Sequence, residues 1–161
     1  IKNKFSKEDE TENNFLKYEL IDGNKDLSGG LNYKVPSTFV YEKNTGYVYN
    51  GQYNLSFYIT DAYKNYDNLD DFIKDVYCTS TNEYECKSSK IENITINDHN
   101  WKKIEAEKVG VNKMYGNHIK GYYYVTEFNN KWYCVQFTSI FVNDKADWIN
   151  EFEIIKDSLK F

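Results

Sequence analysis

Arginine is absent from this chain: all 20 basic residues are lysine. Bidentate recognition of phosphate or guanine relies on the guanidinium fork, which an ammonium cannot reproduce. With a net charge of -5 and a pI near 5.1, this argues against a nucleic-acid partner. Histidine is scarce too. The two present, His99 and His118, fall short of the three or four ligands that a zinc site needs. No apolar run approaches the ~18 residues of a membrane span. No Gly-x-Ser-x-Gly elbow occurs, and Gly29-Gly30 lacks the Lys-Ser/Thr of a phosphate loop. Asp22-Gly-Asn-Lys-Asp26 opens like a calcium loop. Leu27 and Tyr33 then stand where glycine and glutamate are required. These absences imply no cofactor and no metal, and they predict a protein that is not an enzyme.

Aromatic residues, by contrast, are abundant. They make up 18% of the 161 residues, and 16 of them are tyrosine. A chain of about 150 residues buries roughly 70% of its unfolded surface, enough for one real core. The apolar content of 40% agrees, while a mean hydropathy of -0.78 marks a polar exterior. Residues 1–14 are dominated by Lys, Glu, Asp and Asn and read as a solvated tether; residues 15–161 read as a single domain. The start at Ile1 rather than Met predicts an upstream segment that has been removed.

Periodicity sets the elements. Phe15–Ile21 alternates weakly, as a strand or short helix, and Asp22–Gly30 has the composition of a loop. Leu31–Val35 alternates as a strand that Pro36 ends. Tyr47–Asn50 is short and β-like, Asn50-Gly51 signals a turn, and Tyr53, Leu55, Phe57 and Ile59 alternate with polar neighbours. A helix follows, capped by Asp67 or Asn68, with Leu69, Phe72, Ile73, Val76 and Tyr77 on one face. Glu85–Ile96 and Trp101–Val109 read as strands around an Asn97–Asn100 turn. Next comes the long hairpin Gly121–Phe141. A helix from about Lys145, capped by Asn143 or Asp144, ends the chain with Trp148, Phe152, Ile155 and Leu159 on one side.

In that hairpin, a two-residue Asn129-Asn130 turn pairs Thr126 with Tyr133, Tyr124 with Val135 and Tyr122 with Phe137. The opposite face carries Tyr123, Val125, Trp132 and Cys134. A sheet apolar on both faces needs cover on both sides. The expected fold is therefore α+β: an antiparallel sheet covered by helices on both faces, an α/β/α sandwich.

The run Gly30-Leu-Asn-Tyr-Lys-Val-Pro-Ser-Thr-Phe39 is similar to the opening strand and Pro-x-x-aromatic corner of the PsbP/Mog-type family. The ending Asp157-Ser-Leu-Lys-Phe161 resembles that family's Ser-Leu-aromatic signature. The resemblance covers residues 28–161. At the Ile96–Trp101 turn this chain has Asp98-His99 where glycine is common. The resemblance implies a PsbP-like fold, a binding or assembly role, and a bacterial secreted lipoprotein. Fold alone does not give function.

Few residues suggest chemistry. Cys78 and Cys86 are spaced for a disulfide, worth perhaps 2–3 kcal/mol by loop entropy, and a bridge would point to an oxidising compartment. Two thiols in a reducing compartment fit the same spacing. Cys134, mid-hairpin, reads as a small buried hydrophobe. Asp67, Asp70, Asp71 and Asp75 read as a solvated helix face favoured by the dipole. Tyr41, Tyr47, Tyr49, Tyr63, Tyr66 and Tyr115 fall in loops or at edges, where exposed phenols beside Asn and Asp suit protein recognition or sugar stacking.

The functional expectation is a non-enzymatic extracytoplasmic binding or assembly module, attached to a bacterial surface by a removed N-terminal segment. Its partner is a protein or a cell-wall component. The alternative is a carbohydrate or cell-wall binding domain using the loop tyrosines.

Overall fold

The computed structural model describes residues 19–44, 46–50, 53–61, 65–77, 84–110, 118–139 and 147–161. The expected tether, Tyr63, Cys78, Tyr115 and both candidate caps of the C-terminal helix lie outside the described residues. Nine strands and two helices are described: β1 Leu20–Asp22, β2 Lys34–Pro36, β3 Val40–Glu42, β4 Tyr47–Asn50, β5 Tyr53–Thr60, α1 Leu69–Tyr77, β6 Tyr84–Ile96, β7 His99–Gly110, β8 His118–Phe128, β9 Lys131–Ser139 and α2 Asp147–Asp157. Seven strands form one antiparallel sheet in the order β3-β4-β5-β9-β8-β7-β6, and β1 pairs with β2 separately. Among the described residues, no helix is long and apolar enough to cross a membrane.

Paired left-handed residues make the tight turns. Asn129 and Asn130 have φ of 49° and 59°, and Asn97 and Asp98 have 45° and 63°. Asn and Asp tolerate this region, and two such residues match the twist of a hairpin. The β8–β9 register is the expected one, with Thr126 opposite Tyr133, Tyr124 opposite Val135 and Tyr122 opposite Phe137. The β6–β7 turn is tighter than the sequence suggests, because His99 and Asn100 already belong to β7 and pair with Ile96 and Thr95. Gly121 serves its neighbour: a Cβ there would lie 2.5 Å from the Tyr123 hydroxyl oxygen. The Tyr123 ring thus folds back over bare backbone.

Each hairpin face enters its own core. On one face, Tyr122, Tyr124, Val135 and Phe137 join Leu55, Trp101, Phe152, Ile155 and Leu159. On the other, Tyr123, Val125, Trp132 and Cys134 join Phe72, Ile73, Ile104 and Ala106. These are called here the α2 face and the α1 face.

An α/β/α sandwich with helices covering both faces does not form. The domain is mostly antiparallel sheet, and its described helices have only nine and eleven residues. At ~1.5 Å per residue they are about 14 and 17 Å long, against about 29 Å across seven strands spaced ~4.8 Å. The two-sided apolar pattern of β8–β9 does not extend to the rest of the sheet. On the α2 face, Leu31, Tyr33, Val35 and Phe39 supply cover from the segment around β2. On the α1 face, the β3–β5 side carries polar and aromatic residues instead.

The chain end is held as a third paired segment. Asn32 and Lys160 exchange backbone hydrogen bonds of 2.8 and 3.0 Å, and the Lys34 N–H donates to Ser158 Oγ at 2.8 Å. The Asn97 amide donates at 2.9 Å to the carbonyls of both Asp157 and Leu159. Phe161 then stacks on Phe128, with ring centroids 3.9 Å apart. The Ser-Leu-aromatic ending therefore works as a clasp, which orders the β6–β7 turn beside the site described next.

Candidate binding site

A cleft of about 670 Å³ opens on the α1 face, where the β6–β7 hairpin and β8 meet. Its position follows from register. Asn93 pairs with Lys102 and Thr95 with Asn100, while Lys102 lies opposite Val125. Side chains at paired positions share a face of the sheet. Asn93, Thr95, Asn100, Lys102 and Glu127 therefore line the cleft together, over the buried Trp132.

Helix α1 meets the lining of the cleft through Lys102 and Trp132. Asn68 is its cap, accepting from the Asp71 N–H at 2.9 Å and donating back to the Asp71 carboxylate at 2.7 Å. This reciprocal pair satisfies one of the free N–H groups at the helix start. Asp70, in the first turn, stands 3.6 Å from the Lys102 ammonium, which also donates to Asn93 Oδ1 at 3.3 Å. Phe72 meets the edge of Trp132 with ring centroids 5.8 Å apart, and Tyr66 meets Phe72 in turn at 5.1 Å.

A hydrogen-bonded chain stiffens the wall. Thr126 Oγ1 donates to the Asn100 carbonyl at 2.7 Å, so the 2.9 Å contact from His99 Nε2 makes the imidazole the donor. His99 is thereby assigned as the Nε2–H tautomer. Its ring lies among Trp101, Phe128 and Phe161. Histidine here orients backbone and packs aromatics; it is not a surface turn residue. Among the described residues, the buried Trp101 Nε1–H has no acceptor, a cost of about 1–3 kcal/mol that its aromatic packing must outweigh.

The cleft offers two carboxamides, a hydroxyl, an ammonium and carboxylates above an apolar floor, a combination suited to orienting a polar ligand. Among the described residues, no group of three or more His, Cys, Asp or Glu could hold a metal ion.

Of the tyrosines singled out from sequence, Tyr41, Tyr49 and Tyr66 do not line this cleft. Tyr41 is exposed on β3, and Tyr49 is half-exposed on β4 with Tyr47 two residues away. Tyr41 pairs with Val48, a core residue, so it and Tyr49 occupy opposite faces. Tyr66 is half-buried against Phe72; partial burial and the nearby Asp75 carboxylate push its phenol up. The cleft residues were missed because each is an ordinary polar strand position. Only the pairing of β6 with β7, a long hairpin with a shift between Lys87 and Lys90, brings them together. Of the cysteines, Cys86 is disulfide-bonded and Cys134 is a buried thiol.

Solved structures show which fold this chain resembles. The solution structure of cyanobacterial PsbP (CyanoP) from Synechocystis sp. PCC 6803 superposes with a TM-score of 0.54 over 88% of this chain and 91% of that one, at 15% identity. The chain has a PsbP-like fold. No protein-family model and no curated protein sequence matches it. At this identity the likeness concerns architecture alone.

Proposed function

We propose that this domain is a non-enzymatic extracytoplasmic binding or assembly module, carried on a bacterial surface protein as in secreted lipoproteins, with a partner protein engaging the cleft beside α1. The observation that carries this reading is the convergence of Asn93, Thr95, Asn100, Lys102 and Glu127 on paired strands over Trp132. Polar groups held on a sheet lose little freedom on binding, which favours specific recognition. The disulfide at Cys86 supports an oxidising location.

Two measurements test it. Lys102→Glu should reduce capture of a cross-linked surface partner at least tenfold, since a like-charge clash replaces a donor. The same change should alter stability by no more than about 1 kcal/mol, because the Lys102–Asp70 pair is partly exposed. Equal capture by both proteins would remove the cleft from the reading. For the location, a Cys78–Cys86 bridge leaves one thiol per denatured, unreduced chain; three thiols would count against an extracytoplasmic site.

A further inference from the structure

We infer that the β3–β5 side of the α1 face is a second binding site, shaped for a neutral glycan chain. The register builds it. Val40 pairs with Tyr49, Tyr49 with Asn54, Asn54 with Thr138, Ser56 with Gln136 and Tyr58 with Cys134. Cys134 belongs to the α1 core, so all these positions share that face. Among the described residues, helix α1 packs on its β7–β9 side, where Phe72 and Ile73 join Ile104, Tyr123, Val125 and Trp132. Tyr58 remains 42% exposed, and Val40 52%. Tyr49, Asn54, Ser56, Gln136 and Thr138 are half-exposed.

Chemistry selects the occupant. The chain is 28% charged, and charges concentrate on surfaces. Yet Tyr49, Asn54, Ser56, Tyr58, Gln136 and Thr138 include no ionised side chain. Amides and hydroxyls present donors and acceptors in equal measure, as a polyhydroxylated ligand does, and a phenol adds a stacking face with a polar tip. Ser56 Oγ and Gln136 Oε1 sit 3.5 Å apart, while Asn54 and Thr138 make no side-chain hydrogen bond among the described residues. Glu42, two residues from Val40, shares this face at its β3 edge; it repels a phosphate or a polyanion, while these β4, β5 and β9 positions offer a basic peptide no further carboxylate.

Geometry agrees. Tyr58 is four residues beyond Asn54, the partner of Tyr49. That separation is about 14 Å along β5 at ~3.4 Å per residue, with one strand spacing of ~4.8 Å across. Two phenols so placed bracket an open strip of amides and hydroxyls long enough for several sugar rings. The site is distinct from the cleft and does not rest on the partner reading above.

The test titrates the full 161-residue chain with three neutral hexasaccharides: β-1,4-glucose, β-1,4-N-acetylglucosamine and α-1,4-glucose. Amide chemical shifts are followed by NMR. Saturable shifts centred on β4, β5 and β9 are expected with at least one sugar. Tyr58→Ala and Tyr49→Ala should each weaken binding at least tenfold with the far-ultraviolet circular dichroism unchanged, and Lys102→Glu should leave it intact. Three outcomes overturn the inference: no saturable shift with any sugar at millimolar concentration, undiminished binding by both tyrosine variants, or a dimer in sedimentation that Tyr58→Ala dissolves.

Discussion

Trp132→Ala is expected to destabilise the domain by about 3–5 kcal/mol, the range for removing a large buried aromatic. The indole is 1% exposed and forms the floor of the cleft. It also meets Phe72 edge to face, and Phe72 is 2% exposed. Truncation therefore leaves a cavity beneath α1 that a nine-residue helix cannot fill by moving. Such a helix has little stability of its own, because isolated helices below ~12 residues are marginal in water. Against a typical total of 5–15 kcal/mol, the loss is severe. Chemical denaturation should show it directly, and amide exchange across α1 should accelerate more than exchange in β8 or β9. A Phe72→Ala cycle should reveal coupling of about 0.5–1.5 kcal/mol between the two rings. A loss below about 1 kcal/mol for Trp132→Ala would mean that α1 does not depend on this contact.

Stability should fall steeply between pH 10 and 12. Tyr123 is 8% exposed, and burial, with a smaller contribution from Cys134, pushes its phenol up to about 12. Tyr124 is pushed higher still, by burial first and then by the Glu153 carboxylate, to which its hydroxyl donates at 3.4 Å. Both folded values lie above the unfolded value of about 10. The folded state then holds protons that the unfolded chain has released, so the stabilisation is complete below pH 10 and is lost as pH rises through the folded values. Each such tyrosine contributes a slope approaching about 1.4 kcal/mol per pH unit, and Tyr123 alone accounts for roughly 2 kcal/mol by pH 12. Tyr123→Phe should reduce the slope measured from denaturant midpoints, leaving the part carried by Tyr124 and by the raised phenols of Tyr33 and Tyr122. A variant that loses stability as fast as the parent would show that Tyr123 ionises without unfolding.

Both expectations rest on the hairpin, which local sequence specifies unusually well. A two-residue Asn129-Asn130 turn with alternating neighbours leaves one register, and a slip by one residue would exchange the two faces. The α1 cap at Asn68 and the pairing of Phe152, Ile155 and Leu159 with the core were similarly readable. The clasp was visible only as a motif. Its purpose emerges from contacts spanning more than 100 residues, between Lys34 and Ser158 and between Asn32 and Lys160.

The layer count was not readable. Two-sided apolarity in β8–β9 demands cover, but it does not say how wide the cover is or what supplies it. Here a β-paired segment shares the work on one face, and half of the other is polar. The tyrosines mislead for a related reason. A phenol on a strand reads as core or surface only once the neighbouring strand's cover is known. Tyr123 is buried and Tyr58 is exposed, although both alternate with equal regularity in the sequence.

The sequence by itself determined the β8–β9 hairpin with its register, the helix faces and a predominantly antiparallel sheet, because these depend on contacts between near neighbours and on the period of two. Only the tertiary structure decided which half of the α1 face stays open and which polar strand positions converge on the cleft. Those depend on the lateral order of strands, where β5 joins β9 across a long sequence separation, and no local periodicity encodes that order.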